Sequence, residues 1–200
     1  MSQTKAQLID AVDGSIVDAD IAGLTSSKLS GALPAISGAS LTNLPASGIT
    51  MYDSWRITTD VQGTQQPLSS NWERNDTNFD KIGTGMTQSS GVFTFPTTGK
   101  YHIWYKINFY TNGNNSNYVG AYLEFTTGGS YANLAYSYDQ FGGVSGYYYA
   151  TAAGDSPFDV TDVSSHKIRL HAGMQSQSVY VMGTGTAQAT GLTFMRIGDT

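Results

Sequence analysis

The chain has no cysteine, which excludes a disulfide framework and a thiolate metal site. It is also poor in charge: Asp, Glu, Lys and Arg make up 12% of its 200 residues, about half the usual share, and the formal net charge is −5. No stretch gathers Lys and Arg into a phosphate-binding stripe, so nucleic acid is not expected as a partner. No apolar run is long enough for a transmembrane helix, and the N-terminus has no basic flank leading into an apolar core, so neither membrane insertion nor a signal peptide is expected. In place of charge stand 23 Gly, 13 Tyr and many Ser, Thr and Asn. Gly and Asn supply the positive-φ positions of tight turns, and aromatic and β-branched side chains lose rotamer freedom in helices. The composition therefore predicts short strands joined by turns.

The last absence is local. Residues 1–50 contain no aromatic residue, whereas all 24 lie in residues 51–200. A stretch of that length without Phe, Tyr or Trp has little with which to build a core of its own. Yet apolar residues return regularly, at Ile16, Ile21, Leu24, Leu29, Leu33, Ile36, Leu41, Leu44 and Ile49, mostly three or five apart with small residues between. One copy of such a repeat cannot bury its apolar side; three copies about a common axis can. Residues 1–50 are accordingly expected to form an extended, low-complexity stalk or anchor, with a flexible linker as the alternative. At its start, Leu8, Ile9 and Val12 share one helical face and are the expected docking residues.

Residues 51–200 read as one all-β head domain. Strand-like runs occur at 54–59, 91–95, 101–109, 118–125, 167–171, 178–182 and 192–197. Alternation is clearest where Tyr101, Ile103, Tyr105, Ile107 and Phe109 form one face and His102, Trp104, Lys106 and Asn108 the other. Turn signals separate the runs at 96–99, 112–115, 127–129, 142–143 and 154–157. Seven or more short strands over this length predict a β-sandwich or jelly roll.

The segment from Asn75 to Ile103, with Gly91, Phe93, Pro96, Gly99 and Tyr101 in a Gly-x-Phe-x-x-Pro-x-x-Gly-x-Tyr pattern, resembles the complement globular-head and tumour-necrosis-factor superfamily. The resemblance implies a hairpin there, a last strand at Thr193–Ile197, and a homotrimer. The family's calcium ligands do not transfer, because the stretch around Ser164–Gly173 departs from its pattern. The wording of residues 1–50 is similar to the anchoring segments of bacteriophage tail fibres. Together the two likenesses imply a virion structural protein, made in the host cytoplasm: a trimeric tail fibre or similar appendage that meets other virion proteins through its N-terminus and the host surface through its head. The alternatives are a capsid decoration or tail connector with a purely structural role, and, less favoured, a polysaccharide depolymerase.

Signs of catalysis are few, and no catalytic residue, metal or cofactor is expected. His166 and His171 are five apart and so point to opposite faces of an extended chain. Asp155, Asp159 and Asp162 match no calcium-loop spacing. The richest candidate surface is the tyrosine-dense, glycine-interrupted stretch from Tyr131 to Tyr149. There Tyr136, Tyr138, Tyr147, Tyr148 and Tyr149 are candidates for stacking on a host-surface polysaccharide, because Tyr joins a flat apolar ring to a hydroxyl at low entropic cost. Burial of those rings in the sandwich or between subunits is the alternative. Alternation sends Tyr148 away from Tyr147 and Tyr149.

Overall fold

The computed structural model describes residues 48–200 apart from Asn78, Asn114, Asn115, Gly143 and Val144. The repeat up to Leu44 and the expected anchor residues Leu8, Ile9 and Val12 lie outside the described residues. Those described form twelve strands and no helix.

Two antiparallel sheets carry the fold. The first is built on β6 (Gly99–Asn112). Along its whole length β6 pairs on one edge with β9 (Tyr147–Val160). Its other edge is shared end to end by β12 (Gly191–Gly198) and β11 (Tyr180–Val181). Beyond β12 come β1 (Tyr52–Ile57) and β3 (Trp72–Arg74), and β2 (Val61–Gln62) flanks β11. The second sheet runs β4 (Thr87–Ser89), β5 (Val92–Thr94), β10 (His166–Met174), β7 (Ser116–Thr127), β8 (Ala132–Phe141). The chain crosses between the sheets from β5 to β6, β6 to β7, β8 to β9 and β9 to β10, which is the winding of a jelly roll.

The core lies between the sheets and follows from alternation. Tyr101, Ile103, Tyr105, Ile107 and Phe109 of β6 are all buried, as the sequence predicts. Val119, Ala121 and Leu123 of β7 and Ile168, Leu170 and Ala172 of β10 meet them from the other sheet. Phe93, fully buried, sits in an aromatic knot with Trp72 at 4.9 Å, Phe194 at 5.4 Å and Trp55 at 5.6 Å. Truncating such a ring to alanine costs about 3–5 kcal/mol.

The Gly91-to-Tyr101 motif keeps its residues but changes its meaning. It is not a hairpin: β5 pairs with β10 and β4, whereas β6 belongs to the other sheet. Pro96 to Gly99 therefore spans the sandwich, and Phe93 and Tyr101 face inward from opposite sheets, with Phe95 joining them 4.7 Å from the Tyr101 ring. Gly91 has φ +78°, and a Cβ there would lie 2.0 Å from the Leu68 carbonyl oxygen. No other residue fits that approach.

A second expectation fails outright. Gly154–Pro157 is not a turn but the middle of β9. Gly154 is required there by the Tyr105 hydroxyl, 2.6 Å from where a Cβ would stand. Pro157 is tolerated because, among the described residues, β9 pairs with β6 alone and its other edge is open.

Candidate functional site

The five candidate tyrosines fall on two different sheets, so they do not make one surface. Nor are they loop residues. Tyr136 and Tyr138 lie on β8 of the second sheet and are 58% and 55% exposed. Tyr147 and Tyr149 lie on β9 of the first sheet, 62% and 66% exposed. Tyr148, between them, turns inward against the core, as alternation predicts. Burial in the sandwich therefore holds for Tyr148 alone.

The outward face of the first sheet is built by β9, β6, β12 and β1 in register. On it, Trp104 stands between Asp155 on β9 and Thr193 on β12, and His102 stands between Pro157 and Met195. His102 Nε2 lies 2.8 Å from Asp155 Oδ2, and its ring packs 4.3 Å from Trp104. Trp104 is 37% exposed beside a concavity of about 410 Å³ whose other walls include Ala153, Gly191 and Thr193. Small neighbours thus leave an indole edge standing next to unfilled space. A second concavity, also about 410 Å³, lies toward β1 between Ile49, Tyr52, Phe79 and Ile82.

Farther along the same face is a tyrosine cluster. Tyr110 stacks on Tyr180 at 5.0 Å and lies 6.2 and 6.3 Å from Tyr149 and Tyr147. Its hydroxyl donates to Asp60 Oδ2 at 2.7 Å, and burial together with that carboxylate pushes its pKa up to about 12. Asp60 also accepts from the Gly183 amide, which ties β11's exit to the cluster. Register places His102 level with Met195 and Tyr52, where the chain comes into the domain. Tyr110 is eight residues up β6, about 26 Å away at strand rise. The cluster is therefore at the opposite end of the sheet from Tyr52.

The outward face of the second sheet carries a different set. Tyr122 on β7 is flanked in register by Tyr136 on β8 and His171 on β10. The Tyr122 ring stacks on His171 at 4.6 Å and 17°, and meets Tyr138 edge-on at 5.6 Å. One pleat away, Gly120 and Gly173 are adjacent, and the rings of Tyr122 and Tyr138 lean over them. On the other side, Glu124 is 4% exposed. It accepts from Arg169 Nε at 2.5 Å and Gln66 Nε2 at 2.9 Å, and pairs with His171 Nδ1 at 3.2 Å. Arg169 in turn covers the Tyr131 ring at 3.8 Å.

Sequence reasoning missed Trp104, Tyr110 and Tyr180 on the first sheet and Tyr118, Tyr122 and His171 on the second. Their signal was present as strand alternation. Proximity across strands, which groups them, is not written in any one segment. Among the described residues no three His, Asp or Glu side chains gather to hold a metal. His166 and His171 point to opposite faces, and Asp155 and Asp159 are engaged by His102 and Lys100. Asp162 caps Ser164 and Ser165, whose hydrogen bonds hold its pKa down to about 2.

No protein-family model matches the chain, and no curated protein matches it in sequence. Solved structures do match. Murine APRIL at pH 5.0 superposes with a TM-score of 0.54 at 10% identity, covering 74% of this chain and 98% of its own. Its pH 8.5 structure gives 0.54 at 11%, with the same coverage. The Eiger TNF from S. frugiperda gives 0.56 at 10%, covering 76% and 96%. At such identities the likeness is one of fold, and the described domain is a tumour-necrosis-factor-like jelly roll.

Proposed function

We propose that the chain is a non-enzymatic, homotrimeric structural protein. In this reading residues 1–50 anchor it to a virion and the jelly-roll head meets the host surface. The observation that carries the trimer is the outward face of the first sheet. It presents Trp104, Tyr147 and Tyr149, all more than a third exposed, with concavities beside Trp104 and beside Phe79. Large aromatic anchors next to unfilled pockets are the pattern of an interface awaiting its partner. The three-fold arrangement follows the superfamily resemblance and the small-residue repeat of the first 50 residues, which gains a buried side only when copies share an axis. Attachment to a particle is supported by the wording of that repeat and by its likeness to tail-fibre anchors. Adhesion then works by number: three heads per trimer and several trimers per particle raise avidity without any single tight site.

Deleting residues 1–47 should leave a folded head that no longer enters particles. Circular dichroism and particle composition measure the two halves of that expectation. A truncated head that is still incorporated refutes the anchor.

A further inference from the structure

We propose that the outward face of the second sheet is a saccharide-binding floor, formed by Tyr118, Tyr122, Tyr136, Tyr138 and His171, that takes a neutral sugar polymer by ring stacking. The inference rests on the adhesive reading above and narrows it to one face and one ligand class.

Three observations carry it. The first is shape. A Cβ on Gly120 would lie 2.8 Å from Tyr138 Cδ1 and 3.0 Å from Tyr122 Cε2, and one on Gly173 would lie 2.8 Å from Tyr122 Cε2. Two paired glycines thus clear the space into which the rings lean. The rings then hold one another: Tyr122 against His171, Tyr138 edge-on to both Tyr122 and Tyr118, Tyr136 5.3 Å from Tyr138. A floor already ordered spends little rotamer entropy on binding.

The second is chemistry. Alternation gives the outward positions of β7 from 118 to 126 as Tyr, Gly, Tyr, Glu and Thr, and those of β10 from 167 to 173 as Lys, Arg, His and Gly. None is aliphatic. Val92, beside Arg169 on β5, is the aliphatic side chain next to these positions, so a protein partner's apolar side chains would find little to interlock with over the rings. A pyranose, with C–H groups on its faces and hydroxyls around its rim, meets ring faces below and phenol hydroxyls at the edges.

The third is charge and proton placement. Of the two cations on this face of β10, Arg169 is engaged by Glu124 and Tyr131 and Lys167 donates to the Val163 carbonyl, so neither is left free to meet an anionic sugar. Glu124 does more than balance it. A carboxylate oxygen only accepts, so the 3.2 Å contact fixes the proton on His171 Nδ1 and leaves Nε2 as an acceptor beside the Gly173 gap. Burial of the ring favours the same neutral form. Glu124 is thus a positioning residue, and His171 Nε2 is the acceptor for a sugar hydroxyl. Tyr147 and Tyr149, on the other sheet, have no part in this floor.

The test is an array of immobilised bacterial O-antigen and capsular polysaccharides, neutral and anionic, probed with the full chain, its Tyr136→Ala and Tyr138→Ala variants, and a Tyr147→Ala/Tyr149→Ala double variant. All four substituted rings are more than half exposed, so the fold should tolerate their loss. The floor predicts retention on neutral polymers, weakened by about tenfold for each ring removed from β8. The β9 double variant alters the proposed trimer face, so its retention is compared per head at matched oligomeric state, and a loss there equal to that of the β8 variants would overturn the proposal. Retention only on anionic polymers, retention that survives both β8 substitutions, or no retention at all would overturn the proposal. Light scattering on the same samples separates the two readings: a trimer that retains no glycan refutes the floor alone. A monomer whose glycan binding depends on Tyr136 refutes the trimer alone.

Discussion

Asp53 should be the most expensive single charge to remove from this fold. It is fully buried on β1 and accepts four hydrogen bonds: from Trp55 Nε1 at 3.0 Å, Arg74 Nε at 2.9 Å, Arg74 Nη2 at 3.2 Å and the Met86 amide at 2.6 Å. Arg74 also donates to the Met86 carbonyl and lies over the Trp55 ring at 4.5 Å. The carboxylate therefore pins β1 and β3 of the first sheet to the start of β4 in the second. Asp53→Ala strands a guanidinium, an indole N–H and a backbone amide together. Breaking a buried pair from one side costs about 3–5 kcal/mol. The Arg74 side chain keeps 26% of its surface in water, which places the expected loss near the lower bound, about 3 kcal/mol. Urea denaturation at fixed protein concentration measures it, the fixed concentration being needed because self-association adds to apparent stability. Asp53→Ala combined with Arg74→Met removes the orphaned cation and should recover a large part of the loss, about 1–2 kcal/mol. A single variant that loses less than about 1 kcal/mol, or a double variant no better than the single, would refute this account of the network.

Two further perturbations test the fold and the second sheet. Gly91→Ala forces a left-handed backbone onto a residue with a Cβ and drives that Cβ into the Leu68 carbonyl, so at least about 2 kcal/mol should be lost in the same denaturation assay. A neutral outcome would mean the β4–β5 turn relaxes freely. His171 is held below its ordinary value of 6.5 by burial, with Glu124 acting in the opposite sense. The unfolded chain therefore binds the proton first, and stability should fall as pH drops below about 6.5 toward the lowered folded-state value. His171→Gln should flatten that part of the stability profile. An unchanged slope would assign the dependence to other groups.

Much of the head domain was legible because alternation is a local property. The β6 run names its own inward face, residue by residue, and the glycines at 91 and 99 sit where no side chain fits. Two long strands were hidden. In β9, Gly154 and Pro157 look like a turn until the Tyr105 hydroxyl and the open strand edge are known, and both lie outside the segment. In β8, Tyr136 and Tyr138 alternate outward, but a dense run of tyrosine and glycine reads equally well as a recognition loop. The candidate site suffered more for the same reason. Tyr147 and Tyr149 are close to Tyr136 and Tyr138 in sequence yet on the other sheet. Tyr122 and His171 are far apart in sequence and stacked in space.

In the trimer proposed above, the outward face of the first sheet joins three copies of the chain. Light scattering coupled to size exclusion, on the full chain and on Trp104→Lys, tests it most directly. The parent should have three times the 21.4 kDa chain mass. The variant places a charge where the indole should meet a partner and should shift to monomer with its circular dichroism unchanged. A parent that runs as a stable monomer, or a Trp104→Lys protein that remains a trimer of full stability, would contradict the claim.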